Sequence, residues 1–152
     1  MTRPSTETIL SWLTWPAALW IAWEFLWYEQ YKLTGNEGSV FLFTVLTDWL
    51  GFPGHEKAMR LGVGIAEIVA AVLVVVPATR MVGAALSLGI MLGAIFFHTV
   101  SPLGIDPYGD GGVLFKEAVF TAAMAAFILW VRRGEVRALL GRILPGLVRA
   151  EA

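Results

Sequence analysis

The sequence has no cysteine among its 152 residues. Disulfides, thiolate metal ligands, iron–sulfur clusters and thiol redox catalysis are therefore excluded. Histidine is also scarce, and a haem with two axial histidines would have to pair His98 with His55. His55 falls on a link between apolar segments, and the Glu-x-x-His pairs of di-iron bundles do not occur. We therefore predict no metal site.

Charge is scarce as well. Charged residues make up 15% of the chain, against about 25% in a typical soluble domain. Hydrophobic residues reach 57%, and the mean hydropathy is +0.70. A soluble domain would carry more charge, so we predict an integral membrane protein in contact with the lipid bilayer. The net charge of −1 provides no large basic surface, which argues against a nucleic-acid partner.

Four apolar segments have about the length that a membrane-spanning helix needs, ~20 residues. They cover residues 9–31, 61–78, 81–100 and 113–131. The link between the second and third segments is so short that these two must form an antiparallel hairpin. The pattern predicts an all-α fold, an integral membrane four-helix bundle, with residues 1–152 forming a single transmembrane domain.

Two further segments are apolar or amphipathic without spanning the membrane. Residues 39–54 are too few to cross and end in a Gly/Pro turn, which predicts a short interfacial or re-entrant helix after helix 1. The basic tail, residues 132–152, repeats apolar residues at helical spacing, which predicts an amphipathic segment on the membrane surface. In "DPYGDGG", residues 106–112, the aspartates do not have the spacing of a calcium loop, and we predict a turn.

The distribution of lysine and arginine predicts the orientation in the membrane. Four spans place both termini on one side of the bilayer. That side holds seven of these residues, and the other side holds four. We therefore expect the N- and C-termini in the cytoplasm and the two long connections outside.

Ionisable residues from all four spans fall at one depth. At about 1.5 Å per residue, they lie roughly 3–10 Å below the outer boundary, and the inner halves contribute none. A charge at mid-bilayer costs ~2.5–3.5 kcal/mol, so we expect these side chains to face one another in a polar pocket. They are Glu24, Glu67, His98, Lys116 and Glu117.

Each of these residues has two interpretations. The functional one is a ligand-binding or proton-relay group, and the structural one is a hydrogen bond or ion pair that fixes helix packing. Lys116 and Glu117 lie near a helix start, where the helix dipole and snorkelling explain them without a function. Spacing alone places Glu29 and Lys32 at the surface.

Small residues four positions apart allow membrane helices to approach closely. Three such pairs predict close packing of the second and third spans. They are Gly62 with Ala66, Gly83 with Ser87, and Gly89 with Gly93.

Beyond these patterns, the chain resembles the DoxX-like family of small four-helix membrane proteins. The resemblance rests on "YKL" after the first span, "LGFPGHEKAMRLGVGIAEIVAAVLVVVPATRMVGAAL", and "FFH" ending the third, within residues 20–131. The family pattern has a lysine after helix 1, a Gly-Pro turn, a glutamate early in helix 2, an arginine-bearing link and a polar residue late in helix 3. In this sequence these are Lys32, Pro53, Glu67, Arg80 and His98.

This resemblance implies a membrane subunit, because founding members are similar to subunits of a thiosulfate:quinone oxidoreductase and others are linked to oxidative-stress complexes or receptor assembly. We expect a polar small-ligand pocket in the outer half of the bundle, with quinone as the candidate cofactor. Its head group would lie among Glu24, Glu67 and His98, and its tail near Trp20 and Trp23. Lys32, Lys116 and Glu117 complete the candidate set, the last two and Glu24 outside the family pattern.

The alternatives are a non-catalytic assembly or chaperone subunit and a small transporter. Whether the protein is an enzyme is left open by the sequence. As partners we expect a redox protein and either further copies of the chain or the other subunits of a complex. A bacterial-type plasma (inner) membrane is the expected location.

Overall fold

The computed structural model describes the backbone of residues 6–143 and the side chains of residues 8–139. This part of the chain contains six helices and no strand, which confirms the all-α prediction. The helices are α1 (Thr6–Thr34), α2 (Glu37–Trp49), α3 (Glu56–Val75), α4 (Arg80–Val100), α5 (Val113–Val131) and α6 (Arg133–Ile143).

Four of these helices form the predicted bundle. α1 packs against α3 and α5, and α4 packs against the same two helices from the opposite corner. Each of the four is long and apolar enough to cross a membrane. Their outward faces carry large exposed apolar side chains, such as Trp23, Ile65, Leu92 and Phe120. An apolar exterior of this kind suits lipid, so the chain is a multi-pass membrane protein.

The core between the four helices is built largely from alanine. Ala18, Ala70, Ala84 and Ala125 have no exposed surface, and Ile21 and other larger side chains fill the remaining space. Small side chains let helix backbones approach closely, which replaces the hydrophobic effect as the source of helix association inside a membrane.

Several of the helices begin or end at residues other than the bounds predicted from the apolar segments. α3 begins at Glu56, five residues before the predicted span, because Arg60 pairs with Glu56 one turn away. It ends at Val75, before the predicted boundary at residue 78, because Val76 precedes Pro77 and adopts an extended conformation. α6 covers the first part of the predicted tail, whose positions after residue 143 lie outside the described residues.

The bundle has two distinct ends. We call the end at which α1 and α4 finish and α3 and α5 begin the carboxylate end. The opposite end, which contains the turn of residues 76–79 between α3 and α4, is the hairpin end. Neighbouring helices are antiparallel, so residues far apart in the chain meet at each end.

Of the three predicted small-residue pairs, only Gly83 with Ser87 lies at a close helix contact. A Cβ atom at Gly83 would overlap the backbone nitrogen of Val74 on α3. Gly62, Gly89 and Gly93 have open space where a Cβ would stand. The prediction of tight packing at these three glycines is wrong, since two of them border a cavity instead.

The hairpin end also buries an ionisable residue, Arg80, which lies in the predicted link between the second and third spans. Its guanidinium donates to the carbonyl oxygens of Val74 at 3.1 Å and Val75 at 3.3 Å, and to the Thr14 hydroxyl at 3.1 Å. It also lies 3.8 Å from the ring centroid of Trp15. These bonds satisfy carbonyls that the end of α3 leaves without helical partners.

Candidate ligand-binding site

A cavity of about 590 Å³ opens at the carboxylate end. Its walls come from α1 to α5 and from the loop between α4 and α5, and most of the lining is apolar. Phe43, Val63, Ile90 and Phe97 are representative of that apolar wall. The volume is within the range of small-molecule sites, ~300–1,000 Å³, and such sites combine apolar walls with a few polar groups.

The short helix α2 closes one side of this cavity. Its 13 residues are too few to span a bilayer, as predicted, and Ser39, Phe43 and Leu46 face inward. Asn36 caps the helix by accepting a bond from the Gly38 nitrogen at 3.0 Å. The Tyr108 hydroxyl donates to the Gly38 carbonyl at 2.8 Å and so ties the α4–α5 loop to α2. The helix that was expected at the membrane interface is thus also a wall of the cavity.

A buried ion-pair cluster lies beside the cavity. The Lys32 ammonium donates to a Glu67 oxygen and lies 3.4 Å from Glu29 Oε1. Both carboxylates are 4% exposed. The cluster therefore joins the end of α1 to α3, and one ammonium serves two carboxylates.

Glu29 was expected at the surface, and that expectation is wrong. Gly64 on α3 provides the room, because a Cβ there would lie 2.6 Å from Glu29 Oε2. Arg60 is a second buried charge that the sequence analysis passed over. Its guanidinium donates to the Lys32 carbonyl and, at 3.0 Å, to Glu56. The sequence did contain a signal for both residues. Glu29 and Lys32 are three residues apart and Glu56 and Arg60 four, which places opposite charges side by side on a helix.

Glu24 lies two helical turns before Lys32 on the same face of α1 and lines the cavity. It is 5% exposed. Within the described part of the chain, its Oε2 is buried without a hydrogen-bond partner, and no described side chain or backbone group donates to its other oxygen. A buried polar atom without a partner is rare in a folded protein and calls for an explanation. The other such side-chain atom among the described residues is Glu29 Oε2, which does not line the cavity.

His98, near the end of α4, is also buried and lines the cavity. Its Nδ1 lies 2.7 Å from the Gly104 carbonyl oxygen. A carbonyl only accepts, so Nδ1 carries the proton in this bond, and Nε2 of the neutral ring is left as an acceptor. The edge of the Phe115 ring fixes the imidazole from another side, at a centroid distance of 6.0 Å.

The remaining two predicted residues do not line the cavity. Glu117 is half-buried and accepts a hydrogen bond from the Tyr28 hydroxyl, so it reaches the cavity wall only through that tyrosine. Lys116 is exposed near the loop glycine Gly111. The predicted layer is thus divided: Glu24, Lys32, Glu67 and His98 face one space, and the pair at the start of α5 does not.

None of the tryptophans in the described part of the chain lines the cavity, although Trp20 and Trp23 were candidates for holding a ligand tail. Trp20 instead donates to the Thr121 hydroxyl at 3.0 Å and packs edge-on against Phe120. Trp23 is half-exposed on the outer face of α1. The aromatic residues that do line the cavity include three tyrosines, Tyr28, Tyr31 and Tyr108.

The aspartates of the α4–α5 loop bind the backbone, as a turn requires. Asp106 accepts from the nitrogens of Asp110 at 2.9 Å and Gly111 at 3.1 Å. Desolvation acts in the opposite direction, but these backbone hydrogen bonds together hold the pKa of Asp106 below its ordinary value. Asp110 in turn accepts from the Gly112 and Val113 nitrogens at 3.0 Å and caps the start of α5.

The fold and the site together define a class: a multi-pass helical membrane protein with a buried, charged cavity at one end of its bundle. Comparisons with protein-family models, curated proteins and solved structures find no match to this chain. The resemblance to DoxX-like proteins therefore stays a prediction.

Proposed function

We propose that the protein binds a small amphiphilic molecule in the cavity at the carboxylate end. The observation that carries the proposal is Glu24, a buried carboxylate that lines the cavity and lacks a hydrogen-bond partner for Oε2 in the described chain. A bound head group is the simplest partner for such an atom, because leaving it unpaired costs ~1–3 kcal/mol or more.

The shape of the cavity supports an amphiphile rather than a fully polar molecule. The lining includes four ionisable residues, Glu24, Lys32, Glu67 and His98, which we call the charged side, and most of the remaining lining is apolar. A molecule dissolved in the bilayer has the same division between head and tail. We place the carboxylate end toward the outer face of the membrane, with the termini in the cytoplasm of a bacterial-type cell.

Quinones and quinols are members of this ligand class. If the ligand is a quinone, the chain acts as a membrane subunit beside a redox partner protein. This is the redox role that the resemblance to DoxX-like proteins implies. Assembly work without a ligand, and transport through an oligomer, are the competing functions, and both leave the Oε2 atom of Glu24 unexplained.

Filling the cavity tests the proposal. Gly93 lines the cavity with open space for a side chain, so Gly93→Leu should occupy ligand volume without a backbone clash. Gly62→Leu is the matched control, because Gly62 has the same open space on α3 outside the cavity lining. Both proteins would be placed in lipid nanodiscs and titrated with a short-chain quinone, its quinol and a single-chain amine.

We expect at least one of these ligands to bind the wild type and the Gly62→Leu variant, and its affinity to fall at least about tenfold in Gly93→Leu. Binding of no ligand to the folded wild type would contradict the proposal. Equal binding to all three proteins would place the ligand outside the cavity and contradict it as well.

A further inference from the structure

The polar groups at the charged side of the cavity are mostly hydrogen-bond acceptors, which bears on the class of ligand in the proposed binding function. Glu24 presents carboxylate oxygens, and Glu67 presents a second carboxylate. His98 donates its Nδ1–H to the Gly104 carbonyl, so in the neutral ring Nε2 is the free acceptor. A ligand head must therefore supply donors.

Three of the donors that line the cavity, Lys32, Tyr28 and Tyr108, are already engaged, and Asn36 and Ser39 line it from the α2 side. Lys32 donates to Glu67 and lies within 3.4 Å of Glu29. The Tyr28 hydroxyl donates to Glu117, and the Tyr108 hydroxyl donates to the Gly38 carbonyl. Tyr31 lines the cavity but is exposed at its rim. An acceptor-only head group, such as that of an oxidised quinone, has no donor to offer the Oε2 atom of Glu24.

The balance of acidic and basic residues at this end also favours a ligand that donates hydrogen bonds. Three carboxylates are buried at this end, those of Glu24, Glu29 and Glu67, and Lys32 is the cation among the residues that line the cavity. The guanidinium of Arg60 is occupied by Glu56 and by the Lys32 carbonyl, and it does not line the cavity. Carboxyl groups thus outnumber the lysine that faces them, and a ligand cation would give Glu24 a counter-ion.

Aromatic rings border the charged side. Tyr28, Tyr31 and Phe97 line the cavity, and the Lys32 ammonium already lies 6.0 Å from the centroid of the Tyr28 ring. Ring faces attract cations, most strongly where water is excluded. The site therefore combines a carboxyl oxygen without a partner, more carboxyl groups than cations, and aromatic walls.

We propose that the cavity binds a protonated amine attached to an apolar body, with the Glu24 carboxylate as its counter-ion. The ammonium donates to Glu24 and lies near the tyrosine rings, and the apolar body occupies the space beside Gly89 and Gly93. This inference rests on the proposed binding function and specifies the chemistry of its ligand.

Matched single-chain probes test the inference: decylammonium, decanol and decanoate, with a short-chain quinone as a fourth ligand. Each would be equilibrated with the full-length protein in zwitterionic phosphatidylcholine nanodiscs, and the bound amount corrected with empty discs. We expect decylammonium to bind at least about tenfold more tightly than decanol, and decanoate to bind least.

Two variants locate the counter-ion. Glu24→Gln keeps the size of the side chain but removes its charge, so the preference for decylammonium over decanol should fall at least about tenfold. Glu37→Gln removes the same charge from an exposed residue outside the cavity lining and should leave the preference unchanged. Circular dichroism and gel filtration would establish that both variants fold.

The outcomes separate this inference from the broader proposal. Equal binding of amine, alcohol and quinone that Gly93→Leu abolishes would overturn the amine inference and leave the binding function standing. A preference for the amine that survives in Glu24→Gln would also overturn it. Absence of binding by all four probes would contradict both.

Discussion

The two ends of the bundle bury charge in opposite ways. At the hairpin end, Arg80 is enclosed by partners: two helix-terminal carbonyls, the Thr14 hydroxyl and the Trp15 ring. At the carboxylate end, Glu24 is equally buried but lacks a hydrogen bond to Oε2 within the described chain. The first charge borders close-packed helices, and the second borders a cavity of about 590 Å³.

The comparison distinguishes a buried ionisable group that holds the fold together from one that is available to a ligand. A buried charge whose hydrogen bonds are complete stabilises the fold, and removing it leaves its partners unpaired. A buried charged group beside a cavity that has an unused hydrogen-bond acceptor lowers the stability of the free protein. A ligand that donates to this acceptor offsets the cost of burying it. Removing the charged group should therefore destabilise the fold at the hairpin end and cost little or no stability at the carboxylate end.

The largest effect is expected at the tightest contact of the hairpin end. In Gly83→Ala the new Cβ overlaps the Val74 backbone, so α3 and α4 must separate. We expect the free energy of unfolding to fall by about 3 kcal/mol or more, measured by denaturant titration in mixed micelles. Gly62→Ala, with open space at its Cβ, should be neutral or more stable by up to ~1 kcal/mol. Equal stability of the two variants would refute the close contact.

Removal of the buried guanidinium should have the next largest effect. Arg80→Met leaves the carbonyls of Val74 and Val75 without their side-chain donor, and we expect a loss of about 2–3 kcal/mol. Arg137→Met removes the same charge from an exposed residue of α6 and should change stability by less than about 0.5 kcal/mol. The same denaturant titration compares them, and similar values for both would show that Arg80 is not structural.

The smallest effect on stability is expected at Glu24. Glu24→Gln removes a buried charge that has no hydrogen bond to lose at Oε2, so the free energy of unfolding should stay within about 1 kcal/mol of wild type or rise. Thermal unfolding in detergent, without added ligand, measures it. A loss as large as that of Arg80→Met would mean that Glu24 holds the fold together, and the contrast between the two ends would disappear.

Much of the fold was predictable because it follows from composition and local pattern. Four long apolar segments can only be membrane helices, and the run from residue 113 to 131 matches α5 at both ends. The depth of Glu24, Glu67 and His98 along their helices also followed from counting residues. Depth alone, however, places side chains on a ring around the helix axis and does not say which way they face.

The direction in which each side chain points from its helix was predicted correctly for some residues and wrongly for others. Lys116 and Glu117 share the depth of His98, but rotation of α5 leaves Lys116 exposed and turns Glu117 to Tyr28. Glu29 had the spacing of a surface residue, and the missing side chain of Gly64 on a neighbouring helix made room to bury it. Small residues four positions apart have the same sequence pattern whether they face a helix or a cavity. The sequence therefore could not distinguish Gly83, at a close helix contact, from Gly93, at the cavity.

The sequence by itself determined that this chain is a bundle of four membrane helices with carboxylates near one end, because hydrophobic length and charge position are properties of single segments. Only the tertiary structure decided that α2 walls a cavity, that Lys32 is shared by two carboxylates and that Glu24 is left without a partner for Oε2. Those facts depend on the relative rotation of α1, α3 and α4. That rotation is fixed by packing between residues distant in the chain, which no local pattern records.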